Sequence, residues 1–562
     1  MLRSAFTPAW RHLPPAPGSW RAVFKWGSPD GFKHPGRRLY DLLKARLGLT
    51  DADFGAPRAT GDAAVRCRRP VSWAADRIQT LEDLVGPENV ALDDFSRVRF
   101  ATGQTLEEAW ALRSGDHGPI PEAVVHPRSV ADVRRVVAWC HAEKVPLHVY
   151  GGGSSVTLGL QPVHGGITLV MQTHLNRVLD FNETNQTITV EAGIRGPAYE
   201  AALRQAPERF RARHRYTGGH FPQSFEYSTV GGWISALGSG QQSTYYGDAA
   251  DLVLAQHYVT PAGQICTRPY PAAATGPRVD EILKGSEGAF GVLVGATLKV
   301  FRHRPGQRRR FAFFFPDWAA AVEAARQIAQ GQFGLPSVLR ISDAEETDVA
   351  MHLYGLSHPL VDRLLTRLGL DPGRRCLMLG QADGQSGFTR NLHRQVRRIA
   401  RRHGGLYLTG YPTARWARGR FSDPYLREDL NDFGIAIDTL ETTVPWDGLH
   451  RLHRRVRACI KARPRTVCMT HASHFYPQGT NLYFIFITPM SDLETYRAFH
   501  RSIIGGILDA GGSLSHHHGV GRLMGPFLQD HLGPEQMAVL KALKRHFDPH
   551  GIMNPGGTLG LD

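Results

Sequence analysis

YGGGSSVTLGL, Tyr150 to Leu160, is the stretch around which this chain is organised. It follows KVPLHV, an apolar run ending in β-formers, so three glycines arrive where a strand must turn. Val149 and Tyr150 close the strand; Gly151, Gly152 and Gly153 lack the Cβ that would keep successive backbone N–H groups from converging on an anion. Ser154 and Ser155 add hydroxyl donors. The implied ligand is a pyrophosphate, with an ordinary turn as the competing reading. The pattern is neither the dinucleotide GxGxxG nor the Lys-bearing P-loop.

Two more glycine-rich segments lie downstream, at the distances expected of one extended flavin nucleotide. GHFPQSFEYSTVGGWISALGSG, from Gly219, supplies Pro222, Ser224, Ser228, Thr229, Gly231, Gly232, Ser235, Gly238 and Gly240, small residues that let backbone lie flat against a planar ring. GSEGAFGVLVGATLKVF, Gly285 to Phe301, makes a tight turn through Glu287, Gly288, Gly291 and Val292 before an alternating strand. Upstream, TLEEAWALRSG reads as a helix, PEAVVHP as a strand ended by proline, and SVADVRRVVAWCHAEKV as a helix capped by Ser129. Strand, helix and strand therefore deliver the glycine loop. GITLVMQTHLNRVLDFNETNQTITVEAGI then adds strands separated by the turn NETNQ.

At 562 residues the chain needs two or three cores. Lys plus Arg number 66 against 51 acids, giving a net charge of +15 and a pI near 9.7. The excess is scattered, with local concentrations only at Arg304 to Arg310 and Arg394 to Arg402, which favours anionic substrates or an anionic membrane surface over nucleic acid. Six cysteines at irregular spacing, without a CxxC, point to neither a zinc site nor a disulfide framework. The first 29 residues hold Arg3, Arg11, Arg21 and Lys25 and no acid, like a transit peptide, yet Pro8, Pro14, Pro15 and Pro17 break the helix such peptides need. No apolar run reaches the twenty or so residues of a membrane span, so a soluble, cytoplasmic chain is expected.

Taken in order, GGGSSV, GHxPxSxExSTVGGW and GSEGxxGV resemble the FAD domain of the vanillyl-alcohol oxidase type. Within that superfamily, Glu226 before STVGGW, SLSHHHGVG at Ser513 to Gly521, and SDPYLREDL with DTLETTVPWD between Ser422 and Asp447 are similar to alkyldihydroxyacetonephosphate synthase. The similarity runs from about Phe95 to the C-terminus; KWG, Lys25 to Gly27, is a trace of the family's longer entry motif. The resemblance implies an α+β fold with a two-lobed FAD-binding domain and a ferredoxin-like α/β cap. The corresponding division is an extension over 1–95, the FAD-binding domain over 96–305, the cap over 306–505 and a segment over 506–562 that returns to the flavin. Ser154 stands where some relatives carry an attached histidine, so FAD is expected to be non-covalent.

The second half agrees with a cap. FAFFFPDWAAAVEAARQIAQ and LPSVLRISD read strand, helix, strand, and RCLMLGQ, VCMTHASH and NLYFIFITP continue the alternation. Arg340 in VLRIS is costly to bury without an anion. It is either an edge arginine in water or, as the resemblance has it, a ligand for phosphate or carboxylate. Tyr483 in NLYFIFI is a core tyrosine or, by the resemblance, an acid/base hydroxyl beside the flavin. His516, His517 and His518 can hold a phosphate while one moves a proton. A metal site lacks nearby Cys or paired acids, and a solvated cluster is the third reading. Thr443 in ETTVPW occupies the family's serine position.

The resemblance implies an unusual chemistry, in which the flavin is a covalent partner with no net oxidation and a fatty alcohol replaces the acyl group of acyl-dihydroxyacetone phosphate. The basic stretches NLHRQVRRIARRH and HRRVRACIKARPR are candidates for peripheral contact with a lipid membrane, against the alternative of solvated helix faces. DPHGIMNPGG is more like the FAD-dependent 2-hydroxyacid dehydrogenases, which keeps a hydroxy-acid substrate as the alternative. A flavin carrier without catalysis is the third class. A homodimer through the cap stays open.

Overall fold

The computed structural model describes residues 13–55, 57–58, 60–557 and 561; Arg3, Pro8 and Arg11 of the basic start lie outside them. The strand Leu147–Tyr150 that ends in the glycine loop pairs in parallel with Ile167–Val170, which pairs in parallel with Ala123–Val125. Parallel strands are covered on both faces, which is why these segments are almost uniformly apolar. The crossover helix Val130–Ala142 starts where Ser129 Oγ accepts the Asp132 N–H, and it buries Val133, Val136, Val137 and Cys140 against the sheet. The glycine loop thus leaves the C-terminal edge of parallel strands, where such sheets hold ligands. A second, antiparallel sheet takes Val178–Asn182, Thr187–Glu191, Val292–Lys299, Val253–Thr260 and Gly263–Cys266, in that spatial order.

The cap is one seven-stranded antiparallel sheet built of two related halves. Arg309–Phe315, Val338–Ser342, Cys376–Ala382 and Leu406–Tyr407 stand in the order fourth, first, third, second, that of a ferredoxin-like βαββαβ unit. Ile435–Pro445, Val467–Tyr476 and Gly479–Pro489 repeat the first three strands of the unit. The halves join where the two second strands pair, with Arg340 opposite Ser473 and Ser342 opposite His471. Among the described residues the repeat has no fourth strand. After the helix Leu493–Asp509 the chain instead runs beside Ile435–Pro445 as a loop, Ser513 N–H donating to Thr443 O and Ser513 Oγ accepting from Thr443 N–H. Phe311, Phe313 and Phe315 alternate onto the helix-covered face, packing with Ile328, Leu392 and Val396.

The N-terminal segment, whose role is not legible in its composition, ties the cap down. Trp20, Val23 and Phe24 pack with Val98, Ala109 and Leu112, whereas Leu39, Leu42, Leu43 and Leu47 of the helix Arg37–Leu47 pack with Leu430, Ile435, Val467 and Ile487 of the cap. Between them the chain crosses the helix Leu426–Asp432: Trp26 N–H donates to Glu428 Oε1 at 2.5 Å and Ser28 N–H to Tyr425 Oη at 3.0 Å. KWG and YLRED, distant in sequence, meet here. Beneath them Arg113 pairs with Asp432, both buried.

Asp432→Ala removes the buried carboxylate paired with Arg113, and chemical unfolding is expected to show a loss of roughly 3–5 kcal/mol.

Candidate active site

The glycine loop and the cap sheet enclose a cleft of about 400 Å³. Its floor has almost no side chains. A Cβ on Gly152 would stand 2.2 Å from Tyr227 O, and one on Gly231 would stand 2.8 Å from Ala192 O. The first and second glycine segments are therefore pressed backbone to backbone. Gly152 and Gly153 are buried, yet the N–H groups of Gly152, Gly153 and Ser154 have no hydrogen-bond partner among the described residues. Buried N–H groups are almost always paired. A row of them facing a cleft is a cradle for an anion, and it fits the pyrophosphate of a flavin nucleotide.

Val149, Gly151, Gly152, Gly153, Ser154, Ser155, Pro222, Ser224, Thr229, Gly231, Gly232, Ser235, Gly238, Glu287, Gly288 and Gly291 all line this cleft. Tyr150, Ser228 and Val292 do not. Tyr150 is buried beneath the loop with its hydroxyl on Arg99, Ser228 Oγ accepts from Trp233 Nε1 at 2.8 Å, and Val292 is core. They shape the cradle from behind. Glu287 does more than line it: its carboxylate accepts the N–H groups of Val520 at 2.6 Å and Gly521 at 2.9 Å, fastening the segment that follows the histidines.

The cap contributes Arg340, His471, His474 and Tyr483 to the opposite wall. Strand period alone puts His471 and His474 on opposite faces. A bulge between Ser473 and Phe475, with His474 at φ +53°, shifts the phase so that both rings face the cleft. His471 stacks on Tyr483 at 4.9 Å, and the other side of Tyr483 stacks on His517 at 6.0 Å. Tyr483 Oη donates to Thr439 Oγ1 at 3.0 Å, and burial pushes this phenol up to about 12. Tyr483 thus has polar company that its own strand does not reveal.

Arg340 has an internal anionic partner, Glu346 on the next helix, which also lies 3.3 Å from His471 Nδ1. Burial alone would raise the Glu346 carboxyl; Arg340 and His471 outweigh it and hold it down at about 2. Burial holds His471 below the ordinary imidazole value and His474 well below it, so both rings are neutral.

The histidine loop is organised by Glu441, a residue the sequence reading passes over inside DTLETTVPWD. Its carboxylate, 2% exposed, accepts the backbone N–H groups of His516 at 2.8 Å and of His517 and His518 at 3.1 Å. Ser515 Oγ donates to it at 2.6 Å and Asn481 Nδ2 at 3.0 Å. Burial alone would raise this carboxyl too, but the facing histidines together with the hydrogen bonds donated by Ser515 and the loop N–H groups outweigh it and hold it well below the carboxylate range. Burial depresses His517 and His518, which line the cleft. His516 stands behind them, its Nε2 at 2.7 Å from Tyr476 Oη. Glu441, His516 and His517 bring potential ligand atoms within 4.8 Å of one another, but the carboxylate lone pairs a metal would need are already taken by those five donors. Thr443 does not line the cleft: its Oγ1 donates to Thr480 O at 3.4 Å, so its part is to hold the strand that carries Glu441.

Trp26 and Arg427 also reach the cleft, Arg427 Nη1 donating to Gln104 O at 2.5 Å. Glu226 is exposed and accepts from Tyr425 Oη at 2.8 Å. Among the described residues no helix is long and apolar enough to cross a membrane.

Residues 121–268 match the family model for the FAD binding domain, and residues 304–558 match that for the FAD linked oxidases, C-terminal domain. The chain is 29% identical over 499 residues to the alkyldihydroxyacetonephosphate synthase of Dictyostelium discoideum, covering 85% of this chain and 80% of that protein. It is 26% identical over 548 residues to the synthase of Trypanosoma brucei brucei, covering 93% and 88%. A solved alkyldihydroxyacetonephosphate synthase superposes with a TM-score of 0.80 at 26% identity, over 95% of this chain and 99% of that one. These matches make FAD the cofactor of this chain.

Gly152→Ala forces the two glycine segments apart, and the purified protein is expected to lose its bound flavin, read from its visible absorbance, while far-ultraviolet circular dichroism is retained.

Proposed function

We propose that this chain, an alkyldihydroxyacetonephosphate synthase-like member of the vanillyl-alcohol-oxidase-type FAD-binding superfamily, exchanges the acyl group of acyl-dihydroxyacetone phosphate for a fatty alcohol to form an ether lipid precursor. The observation that carries the reading is the neutral stack of His471, Tyr483 and His517 across the cleft from the glycine cradle, with Arg340 beside it. When bound, FAD supplies a ring nitrogen able to form and release a bond to carbon without net electron transfer.

The remaining work falls to side chains. Arg340 has guanidinium donors beyond the one spent on Glu346, and with His518 it supports a phosphate at the cleft wall. Loss of a fatty acid wants a proton donor, which Tyr483 is, because its phenol stays protonated at neutral pH. Entry of an alcohol wants a base, which neutral His517 is. Tyr483 on its strand lies directly opposite Glu441, whose carboxylate accepts the His517 N–H, and this holds the two groups in fixed registry.

Substrates of this kind reside in bilayers, and the surface offers a place for peripheral contact with one. The helix Ser386–Arg402 buries Leu392, Val396 and Ile399 in the core, so its arginines form a solvated face without an apolar side to insert. A different helix, Pro359–Arg367, is suited to the task. Leu356, Leu360, Leu364 and Leu368 recur at every fourth position, with Leu360 and Leu364 65% and 60% exposed and Arg363 and Arg367 alongside. Arg415, beside cleft-lining Trp416, lies over the ring of Tyr354 next to this stripe.

Incubation with acyl-dihydroxyacetone phosphate and a long-chain alcohol is expected to give the ether product by mass; anaerobic D-2-hydroxy acids are expected to leave the flavin oxidised, and their bleaching it without ether formation reverses the assignment. Tyr483→Phe is expected to lower turnover roughly 10²- to 10⁴-fold with flavin retained. Acid precipitation should leave the colour in solution, since Ser154 offers no imidazole for attachment. Leu360→Asp with Leu364→Asp is expected to abolish sedimentation with anionic vesicles without changing the oligomeric state.

A further inference from the structure

A base must present a lone pair, and an imidazole presents one from either nitrogen unless its surroundings decide. Around the histidine loop they do. Asp248 Oδ2 lies 2.7 Å from Tyr476 Oη, and a carboxylate only accepts, so the Tyr476 proton points to Asp248. The phenol oxygen is then left to accept, and the atom facing it at 2.7 Å is His516 Nε2, which must carry a hydrogen. An imidazole that keeps its single hydrogen on Nε2 has its lone pair on Nδ1. That atom lies 3.1 Å from His517 Nδ1, so one hydrogen between the two rings belongs to His517. Glu441 enforces the same choice independently, its Oε2 lying 3.4 Å from His517 Nδ1, where a second lone pair would be repelled.

We propose that Asp248 and Tyr476, acting through His516, and Glu441, acting directly, are positioning residues that lock the hydrogen of His517 on Nδ1 and so present an unprotonated Nε2 to the cleft. Nε2 has no protein partner among the described residues, and His517 lines the cleft with its ring held against Tyr483. The groups facing His517 are Glu441 from the cap strand, His516 and His518 from its own loop, His474 from the bulged strand, and Tyr483. Asp248 is contributed by the flavin-binding half, Tyr476 and Glu441 by the cap. The arrangement is thus complete only when the two halves are closed on each other. The inference rests on the proposed function for what the base does, but the hydrogen's location can be read without turnover.

The test is NMR of the FAD-loaded protein labelled with 15N-histidine, His517 being assigned through His517→Gln, together with kcat and KM against pH. The wild type is expected to show His517 protonated on Nδ1 alone. Tyr476→Phe removes the acceptor for His516 Nε2–H and is expected to give mixed tautomers at both rings, a roughly 10²-fold lower kcat with KM unchanged, and a displaced acid limb of the profile. Glu441→Gln, which keeps an acceptor oxygen but no charge, is expected to move His517 in the same direction and serves if Tyr476→Phe does not fold. A wild-type His517 with its hydrogen on Nε2 overturns the inference, as do variants that keep both the wild-type tautomer and the wild-type pH profile. A protein that forms no ether product sinks the proposed function while leaving the tautomer result to decide this one.

Discussion

A carboxylate closed off from water must be answered by hydrogen-bond donors, and Glu441 is answered by three successive backbone N–H groups, a serine hydroxyl and an amide. This one constraint shapes the site. It curls the chain so that His516, His517 and His518 diverge in different directions, one back toward Tyr476 and two into the cleft. It holds negative charge within reach of three imidazoles. It also pins the histidine loop to the same strand pair that carries Tyr483, since Glu441 and Tyr483 are directly opposed in the ladder. The loop, the phenol and the buried charge are parts of one rigid object.

The flavin side of the molecule was legible because backbone chemistry leaves a mark in composition. Glycines pressed against a neighbouring chain admit no substitute, so Gly152 and Gly231 announce themselves in the sequence, and so does the Ser129 cap of the crossover helix. The histidine triplet was equally visible. What escaped were features that exist only between strands. His471 and His474 share a face through a backbone irregularity that no periodicity contains, and Glu441 differs from a surface acid only by what surrounds it. Tyr150, Ser228 and Val292 show the converse: they belong to the glycine motifs but their side chains face away from the cleft, an orientation decided residue by residue along the strand and in the turn before the helix.

The first fifty residues illustrate a further limit. Their Pro- and Arg-rich composition says little, yet they contribute Leu43 and Leu47 to one core and Val23 and Phe24 to another. The helix Arg37–Leu47 has an apolar face of its own, Leu39, Leu43 and Leu47, but nothing in the sequence says which body that face packs on. Trp26 at the crossing reaches the cleft itself, so what reads as an extension is part of the wall.

The cap sheet is two copies of one motif, and the second copy is unfinished. Where the first completes its edge with Leu406–Tyr407, the second leaves Ile435–Pro445 flanked by the histidine loop. A final strand there would have spent its amide hydrogens on a ladder; because the strand is missing, those hydrogens were free to be gathered onto a single acid. An edge without regular pairing thus leaves backbone donors available to hold a buried charge. The candidate site lies at the point where the internal symmetry of the cap fails.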